Sequence, residues 1–311
     1  MTLAVLCPGQ GAQHPGMLDI SSRDAAAAEV LAAATTVLGE DLRAWLADPE
    51  SLFENANAQP LICVSQLAWW AALRDHVTAP TAFGGYSVGE LASYGVAGAL
   101  ETEALVLLAR ERAQLMDAAA GNEPGGVIAL RGASRASVVE LCAGKRAFIA
   151  IAIDDDAYVI GGTQAALDYV ADAAVRAGVQ ITCLRVGIAS HTPLLAAAAI
   201  GFRAALEGSP LRSPTRPVVA GIDGSWVVTR ERAIDVLSDQ IARTVEWSRC
   251  LDALHERGCR VFLELGPGAA LSKMVRDRLD GAEARSVEEF RNPVAVATWV
   301  KRSVDRMASG T

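Results

Sequence analysis

A serine bordered by glycines stands where a strand-like run gives way to a helical pattern. The run from Thr81 ends in Gly85-Tyr86-Ser87-Val88-Gly89, and a helical pattern begins with Glu90-Leu91-Ala92. Glycines at these two positions let a strand and a helix approach closely, so the serine can lie on a tight, strained turn with its hydroxyl at the helix N-terminus. This context predicts a nucleophile elbow with Ser87 as the nucleophile. The alternative is a glycine-bordered turn in which the serine only caps the helix.

A serine hydroxyl needs a base within hydrogen-bond reach, and in most such sites the base is histidine. His191 follows a predicted strand and precedes Thr192-Pro193, an N-cap and first-turn signal, so it occupies a loop of the kind where functional side chains concentrate. His76 and His255 fit structural or surface roles, whereas His14, in a glycine-rich loop, stays a candidate. By position His191 is the best candidate for the base. Its alternative role is an imidazole hydrogen-bonded to a loop carbonyl.

A buried cation is predicted on the helix at residues 102–119. Its apolar positions follow the 3.6-residue period, and Arg112 falls in the middle of that apolar stripe. A guanidinium there must be paired or lie in a polar cleft, and its planar fork suits a ligand carboxylate. The alternatives are an arginine that extends past the stripe to solvent or one that pairs with a structural acid.

Two glycine-rich turns follow strand-like runs. Gly9-Gln10-Gly11-Ala12-Gln13 directly follows the first predicted strand, where glycines free backbone N–H groups to face a developing negative charge. Taken alone, that segment is compatible with any tight turn. Gly266-Pro267-Gly268 follows a later strand and is more typical of a structural turn than of a substrate contact.

Composition and charge narrow the class of protein. The 311 residues, 51% of them hydrophobic, suffice for a substantial core in one large domain or two ordinary ones. A net charge of -8 offers no broad positive field, which argues against nucleic acid and anionic membranes as partners. The six cysteines form neither a CxxC pair nor a metal-ligand spacing with the four histidines, so we expect reduced thiols and no metal. No basic leader precedes the first strand, and the apolar run at residues 61–73 is shorter than the ~20 residues of a membrane span, so we expect a cytoplasmic protein.

The order of predicted elements indicates an α/β fold. Strand-like runs alternate with longer helical patterns, including a helix at residues 62–76, as expected for a parallel sheet flanked by helices. After residue 122 the order becomes strand, helix, strand, strand, helix, strand, with the last strand at residues 180–186, which is a ferredoxin-like βαββαβ unit. The alternation of strand-like runs with longer helical patterns then resumes, so the βαββαβ unit is predicted to be inserted into the larger fold. We predict a large core at residues 1–122 and 190–311 and a small subdomain at residues 123–189.

Taken together, these segments resemble the malonyl-CoA:acyl carrier protein transacylase family over nearly the whole chain. The matching segments are Pro8-Gly9-Gln10-Gly11-Ala12-Gln13, Gly85-Tyr86-Ser87-Val88-Gly89-Glu90, Arg112, Ser190-His191-Thr192, Gln240 with Trp247, and Glu264-Leu265-Gly266-Pro267-Gly268. Their order and spacing make chance agreement improbable. The resemblance implies a hydrolase-like α/β core with an inserted ferredoxin-like subdomain and an active site in the cleft between them.

The resemblance also implies a role for each matching residue. The implied roles are Ser87 as nucleophile, His191 as base, the backbone N–H groups of Gln10 and Val88 as oxyanion hole, Arg112 as the holder of the malonyl carboxylate, and Gln240 as a residue that orders the pocket near His191. In this family a main-chain carbonyl usually orients the imidazole, so no triad acid is implied. The implied reaction moves malonyl from malonyl-CoA, through a Ser87 ester, to the pantetheine-type thiol of an acyl carrier protein, with no bound cofactor or metal.

The sequence departs from the family pattern at two places. Tyr86 stands where the family usually has histidine, and Ile153-Asp154-Asp155-Asp156 replaces an asparagine-containing loop. Tyr86 with the residues after it, and the segment Ser286-Val287-Glu288-Glu289-Phe290, look most similar to the branch that serves biotin-independent malonate decarboxylase, its epsilon subunit. The implied carrier would then be the small carrier subunit of that decarboxylase.

Other functions stay open at this point. Malonyl transfer for fatty-acid or polyketide synthesis, an α/β-class thioesterase or esterase, and a non-enzymatic subunit that only docks a carrier all fit parts of the pattern. Ile188-Ala189-Ser190-His191 carries a hint of relatives that use branched acyl groups, so the sequence does not separate malonyl from methylmalonyl.

Overall fold

The computed structural model describes residues 2–121 and 123–309, in which the chain forms two sheets and the helices that cover them. The strands are β1 (Leu3–Cys7), β2 (Ala82–Gly85), β3 (Gly125–Arg131), β4 (Ala147–Asp154), β5 (Ala157–Thr163), β6 (Gln180–Cys183), β7 (Val218–Val219), β8 (Trp226–Val227), β9 (Val245–Glu246), β10 (Val261–Glu264) and β11 (Glu283–Ser286). The helices are α1 (Ala25–Leu38), α2 (Leu42–Ala47), α3 (Asn55–Leu73), α4 (Val88–Val96), α5 (Thr102–Ala120), α6 (Arg135–Cys142), α7 (Gln164–Arg176), α8 (Ala196–Gly208), α9 (Arg230–Gln240), α10 (Trp247–Glu256), α11 (Ala270–Arg278) and α12 (Pro293–Ser309).

The larger sheet positions the two segments that matter most for the site. Its strand order is β11-β10-β1-β2-β7-β8, and every pair is parallel except β7 with β8. All residues of β1 and β2 are buried, as expected for a parallel sheet covered on both faces. Cys7 and Gly85 are register partners at the carboxyl ends of β1 and β2, so the loops that follow these strands begin side by side. Those loops carry Gln10 and Ser87.

The smaller sheet has the ferredoxin-like pattern. Its order is β6-β3-β5-β4-β9, with antiparallel pairing among β3, β4, β5 and β6. Helix α6 lies between β3 and β4 in the chain, and α7 lies between β5 and β6, which gives the βαββαβ order. The predicted fold class, a hydrolase-like α/β core with a ferredoxin-like subdomain, is therefore confirmed.

One strand of the smaller sheet comes from outside the segment 123–189. Strand β9 (Val245–Glu246) pairs in parallel with β4 and so joins the two parts of the chain at the sheet edge. The division at residues 122, 123, 189 and 190 stays a prediction, and its residues 1, 122, 310 and 311 lie outside the described residues.

Two predicted elements have different bounds in the structure. Helix α3 spans Asn55–Leu73 rather than residues 62–76, and it continues through Pro60, which is buried, because tertiary packing maintains the helix despite the N–H that proline lacks. Strand β6 ends at Cys183 rather than at residue 186, because the chain leaves the sheet there and Leu184 and Val186 line a cavity beside Ser87.

The six cysteines are all unpaired, and only Cys183 is exposed. Burial raises the pKa of Cys63 to about 12 and that of Cys142 to about 11, so these thiols stay protonated at neutral pH. In the part of the chain that the structure describes, no helix has both the length and the apolar character that a bilayer span requires.

Candidate active site

Ser87 lies on the sharp turn between β2 and α4. Its φ is +57°, a left-handed value that a residue with a side chain adopts only under local constraint. The flanking glycines are required by close backbone contacts: a Cβ on Gly85 would lie 2.1 Å from the Gly89 oxygen, and a Cβ on Gly89 would lie 2.0 Å from the Cys7 oxygen. The strand-to-helix turn predicted from the sequence is therefore present, with its serine in a strained conformation.

His191 lies next to Ser87, with its Nε2 atom 2.8 Å from the Ser87 Oγ atom. Its Nδ1 atom is 2.6 Å from the main-chain oxygen of Gln240. A carbonyl oxygen only accepts, so Nδ1 carries the proton and Nε2 accepts from the serine hydroxyl. His191 also has a positive φ, +61°, so both partners are held in constrained backbone. The other candidate, His14, instead contacts Glu288 at 2.7 Å.

The surroundings of His191 favour a neutral imidazole. Burial is the largest effect and the positive charge of Arg112 adds to it, and together they lower the pKa of His191 to about 3 although the hydrogen bond to Gln240 acts in the opposite direction. At neutral pH the ring is thus uncharged and its Nε2 lone pair is free to take a proton. The carbonyl of Gln240 orients the ring, in the position that a carboxylate occupies in a catalytic triad.

A cavity of about 70 Å³ opens beside the serine. Its polar lining comes from Gln10, Tyr86, Ser87, Ser190 and His191, and its apolar wall comes from Val127, Ala150, Ile151, Val159, Leu184 and Val186. The Tyr86 ring packs edge-on against Trp247, with ring centroids 5.3 Å apart and planes at 81°. This packing fixes the tyrosine as one wall of the cavity.

Two backbone N–H groups near the serine are unused. Within the described residues, neither the N–H of Gln10 nor that of Val88 has a hydrogen-bond acceptor. Gln10 lines the same cavity as Ser87, and Val88 is the first residue of α4, where helix N–H groups have no partner in the helix. These donors suit an oxygen that becomes negative beside Ser87.

Arg112 is buried, with 1% of its surface exposed, so it does not extend to solvent. Its Nη1 donates to the Gln59 Oε1 atom at 2.7 Å and its Nη2 to the Gln240 Oε1 atom at 3.2 Å. Among the described residues no carboxylate pairs with it, and its remaining N–H groups have no acceptor. Burial lowers the pKa of Arg112 to about 10, which leaves it a cation at neutral pH. Arg112 does not line the cavity beside Ser87; it is connected to His191 through Gln240.

Sequence reasoning missed three polar residues behind Arg112. Gln59 and Asn55 lie one helical turn apart on α3, and the Gln59 Nε2 atom donates to the Asn55 Oδ1 atom at 2.8 Å. Glu90, on the first turn of α4, is completely buried and accepts from the Gln240 side chain. For Gln59 the available signal was an amide next to a long apolar run in the same helix, because a polar group that is buried there must have a partner.

The Gly266-Pro267-Gly268 turn supports the loop that carries Gln10. A Cβ on Gly268 would lie 2.6 Å from the Ala12 Cβ atom, so the two turns are in close contact. Just before the turn, the buried Glu264 carboxylate accepts from the Leu271 N–H at 3.1 Å and the Ser272 N–H at 2.7 Å, which fixes the start of α11. The turn therefore has the structural role that its sequence favours.

A parallel α/β sheet that presents a serine on a strand-to-helix elbow, with histidine beside it, defines a class of proteins that includes acyl-transferring and hydrolytic enzymes. The chain belongs to the acyl transferase domain family, whose model matches residues 5–306. It is accordingly an acyltransferase.

Named relatives agree with this membership. The chain is 31% identical over 291 residues to a malonyl CoA-acyl carrier protein transacylase of Mycobacterium bovis, covering 92% of this chain and 96% of that protein. It is similar to the solved structure of the malonyl CoA-acyl carrier protein transacylase from Coxiella burnetii, with a TM-score of 0.91, 26% identity, and coverage of 97% of this chain and 98% of that one. A malonyl-transacylase in complex with its type II PKS acyl-carrier protein has the same TM-score of 0.91 and the same identity of 26%, over 97% of this chain and 100% of that one.

Proposed function

We propose that this chain transfers a malonyl group from malonyl-CoA, through an ester on Ser87, to the thiol arm of an acyl carrier protein. The observation that carries the proposal is the 2.8 Å contact of Ser87 with a neutral His191, which Gln240 connects to a buried arginine that has no acid partner among the described residues. The M. bovis and C. burnetii relatives, both named as enzymes of this type, support the choice of substrates.

In the first half of the proposed reaction, His191 Nε2 takes the hydroxyl proton as Ser87 Oγ attacks the thioester carbonyl. The new C–O bond places negative charge on the carbonyl oxygen, which accepts from the N–H groups of Gln10 and Val88. The C–S bond then breaks, and His191 returns the proton to the coenzyme A sulfur. The malonyl group is left as a serine ester and the imidazole is neutral again.

The second half runs the same steps with a new nucleophile. The carrier thiol gives its proton to His191 Nε2 and its sulfur attacks the ester carbonyl, whose oxygen again accepts from the two N–H groups. The C–O bond to Ser87 breaks and the serine recovers its proton from His191. The overall result is exchange of one thioester for another, which needs no metal or redox cofactor.

Arg112 supports a diacid as the acyl group. A carboxylate at the far end of malonyl can accept from the unused N–H groups of the guanidinium and neutralise a buried charge, whereas acetyl leaves that cation unpaired. Gln240 contributes in two ways, because its main chain orients His191 and its side chain contacts Arg112.

We propose further that the transfer primes the carrier subunit of malonate decarboxylase. Tyr86 and the segment Ser286-Val287-Glu288-Glu289-Phe290 support this branch. Malonyl transfer for fatty-acid or polyketide synthesis fits the named relatives equally well and is the second candidate. We also propose that residues 1–122 with 190–311 and residues 123–189 are the two domains, and that the enzyme works in the cytoplasm.

The test is a labelling experiment with malonyl-CoA radiolabelled in the acyl group. We expect a stable malonyl-enzyme that passes its label to a carrier protein faster than to water. Faster release to water would identify a thioesterase or esterase, and no labelling would identify a subunit that only docks a carrier. Parallel assays with a decarboxylase carrier subunit and a fatty-acid carrier, compared by kcat/KM, separate the two pathways.

A further inference from the structure

The Arg112 guanidinium is held by two glutamine amides, and each amide is itself held by an acceptor on its other side. We propose that these two acceptors, Glu90 and Asn55, are positioning residues that keep Arg112 aimed at the carboxylate of a diacid substrate. This inference rests on the proposed function and assigns two further residues to the selection of a diacid over a neutral acyl group.

Gln240 connects Arg112 to the first of these acceptors, Glu90. Its Oε1 atom accepts from Arg112 at 3.2 Å, and its Nε2 atom donates to the Glu90 Oε2 atom, which also accepts from the Gly221 N–H at 3.0 Å. Glu90 is 0% exposed and Gln240 1% exposed, so water does not replace a lost partner. Without the Glu90 acceptor, the buried Nε2 group would have no partner and the amide would be drawn away from Arg112.

Gln59 connects Arg112 to the second acceptor, Asn55, with the same pattern of hydrogen bonds. The Gln59 Oε1 atom accepts from Arg112 at 2.7 Å, and its Nε2 atom donates to the Asn55 Oδ1 atom at 2.8 Å. Asn55 is fixed in turn, because its Nδ2 atom donates to Asp117 at 3.0 Å and to the Ala113 oxygen at 3.1 Å. Arg112 is thus fixed on both sides by neutral amides whose orientation is determined by their outer partners.

The Gln240 amide lies between the Glu90 carboxyl and the Arg112 guanidinium, so the guanidinium remains available to the substrate carboxylate. A carboxylate in direct contact with Arg112 would neutralise it and compete with the substrate. Burial raises the pKa of Glu90 to about 8, so at neutral pH the carboxyl acts mainly as a neutral acceptor. Its Oε2 atom accepts from two N–H groups, and its Oε1 atom has no partner among the described residues.

The experiment compares full-length variants by the ratio of kcat/KM for malonyl-CoA to that for acetyl-CoA, each in the parent and in the Arg112→Ala background. Glu90→Met removes the acceptor, and we expect it to lower the ratio by about tenfold or more, mainly through KM for malonyl-CoA. Glu90→Gln keeps one acceptor oxygen and should restore the ratio to within about twofold of the parent. In the Arg112→Ala background, Glu90→Met should leave the ratio where Arg112→Ala put it.

Asn55→Ala keeps the inference testable if Glu90→Met does not fold. Asn55 is half-buried at the start of α3. Its loss should lower the ratio of kcat/KM for malonyl-CoA to that for acetyl-CoA by about threefold to tenfold, because Gln59 then loses its outer acceptor. Folded variants that keep the parental ratio, or that lower it equally when Arg112 is already absent, would overturn the inference. A parent enzyme that does not load malonyl at all would refute the proposed function, and this inference with it.

Discussion

Replacing Arg112 by alanine removes a buried cation whose only partners in the described structure are two neutral amide oxygens. In our account a malonyl carboxylate accepts from the remaining N–H groups, and each charge-assisted hydrogen bond contributes about 1.5–3 kcal/mol. Desolvation of both charges offsets part of that gain. We therefore expect Arg112→Ala to cost about 2–4 kcal/mol in kcat/KM for malonyl-CoA, which is a loss of roughly 30-fold to several hundred-fold.

Acetyl-CoA should respond differently to the same change. An acetyl group has no carboxylate for Arg112 to bind, so the variant should load acetyl at least as well as the parent. The assay is steady-state loading with each thioester, and the decisive quantity is the ratio of the two kcat/KM values. Arg110→Ala is the matched control, because Arg110 lies on the same helix and pairs with Glu40 at the surface. That control should stay within about twofold of the parent for both substrates.

Two outcomes would refute this reasoning. If Arg112→Ala loads malonyl as fast as the parent and keeps its preference over acetyl, the guanidinium does not bind the substrate carboxylate. If loading of both acyl groups falls equally, Arg112 stabilises the site without selecting the diacid.

Further predictions concern the base, its support and the acyl cavity. Because burial and the charge of Arg112 lower the pKa of His191 to about 3, the acid limb of kcat/KM should lie well below pH 6.5 and should move upward in Arg112→Ala; a limb near pH 6.5 in both proteins would contradict this. Gln240→Ala should raise KM for malonyl-CoA more than it lowers kcat, since the main-chain oxygen that holds His191 remains; a collapse of kcat at constant KM would count against it. Tyr86→Ala should enlarge the cavity of about 70 Å³ and raise methylmalonyl loading relative to malonyl, and an unchanged ratio of the two loading rates would show that Tyr86 does not limit acyl size.

The parts of the site that depend on local sequence were predictable. The elbow needs glycines on both sides of Ser87 within five consecutive residues, so a strand, a turn and a helix identify it. Arg112 was recognisable because a cation in an apolar helical stripe conflicts with packing unless it has a partner. The βαββαβ unit was also predictable from local sequence, because its strands and helices follow one another along the chain.

The partners of Arg112 were not predictable, because they are set by tertiary contacts. Gln59 lies 53 residues from Arg112 in the chain, and Gln240 lies 128 residues away. No local pattern indicates that two amides so far apart in sequence share one guanidinium. The same holds for β9, whose two residues complete the edge of a sheet built from another part of the chain. Strands this short carry too little periodicity to be recognised.

Pro60 shows how burial overrides a local signal. A proline inside a helix lacks the N–H of one helical hydrogen bond, and the predicted helix began two residues after it, at residue 62. In the structure α3 continues through Pro60, and the helical turn before the proline carries Asn55 and Gln59. Both residues therefore lie in a part of α3 that the predicted helix, at residues 62–76, did not include.

The most direct test of the whole account is the intact mass of the protein after incubation with malonyl-CoA. The parent should gain one malonyl group and Ser87→Ala should gain none, whereas a control variant at a buried serine of α4, Ser93→Ala, should still gain it. A malonyl adduct of undiminished yield on Ser87→Ala would contradict the central claim that this hydroxyl carries the acyl group.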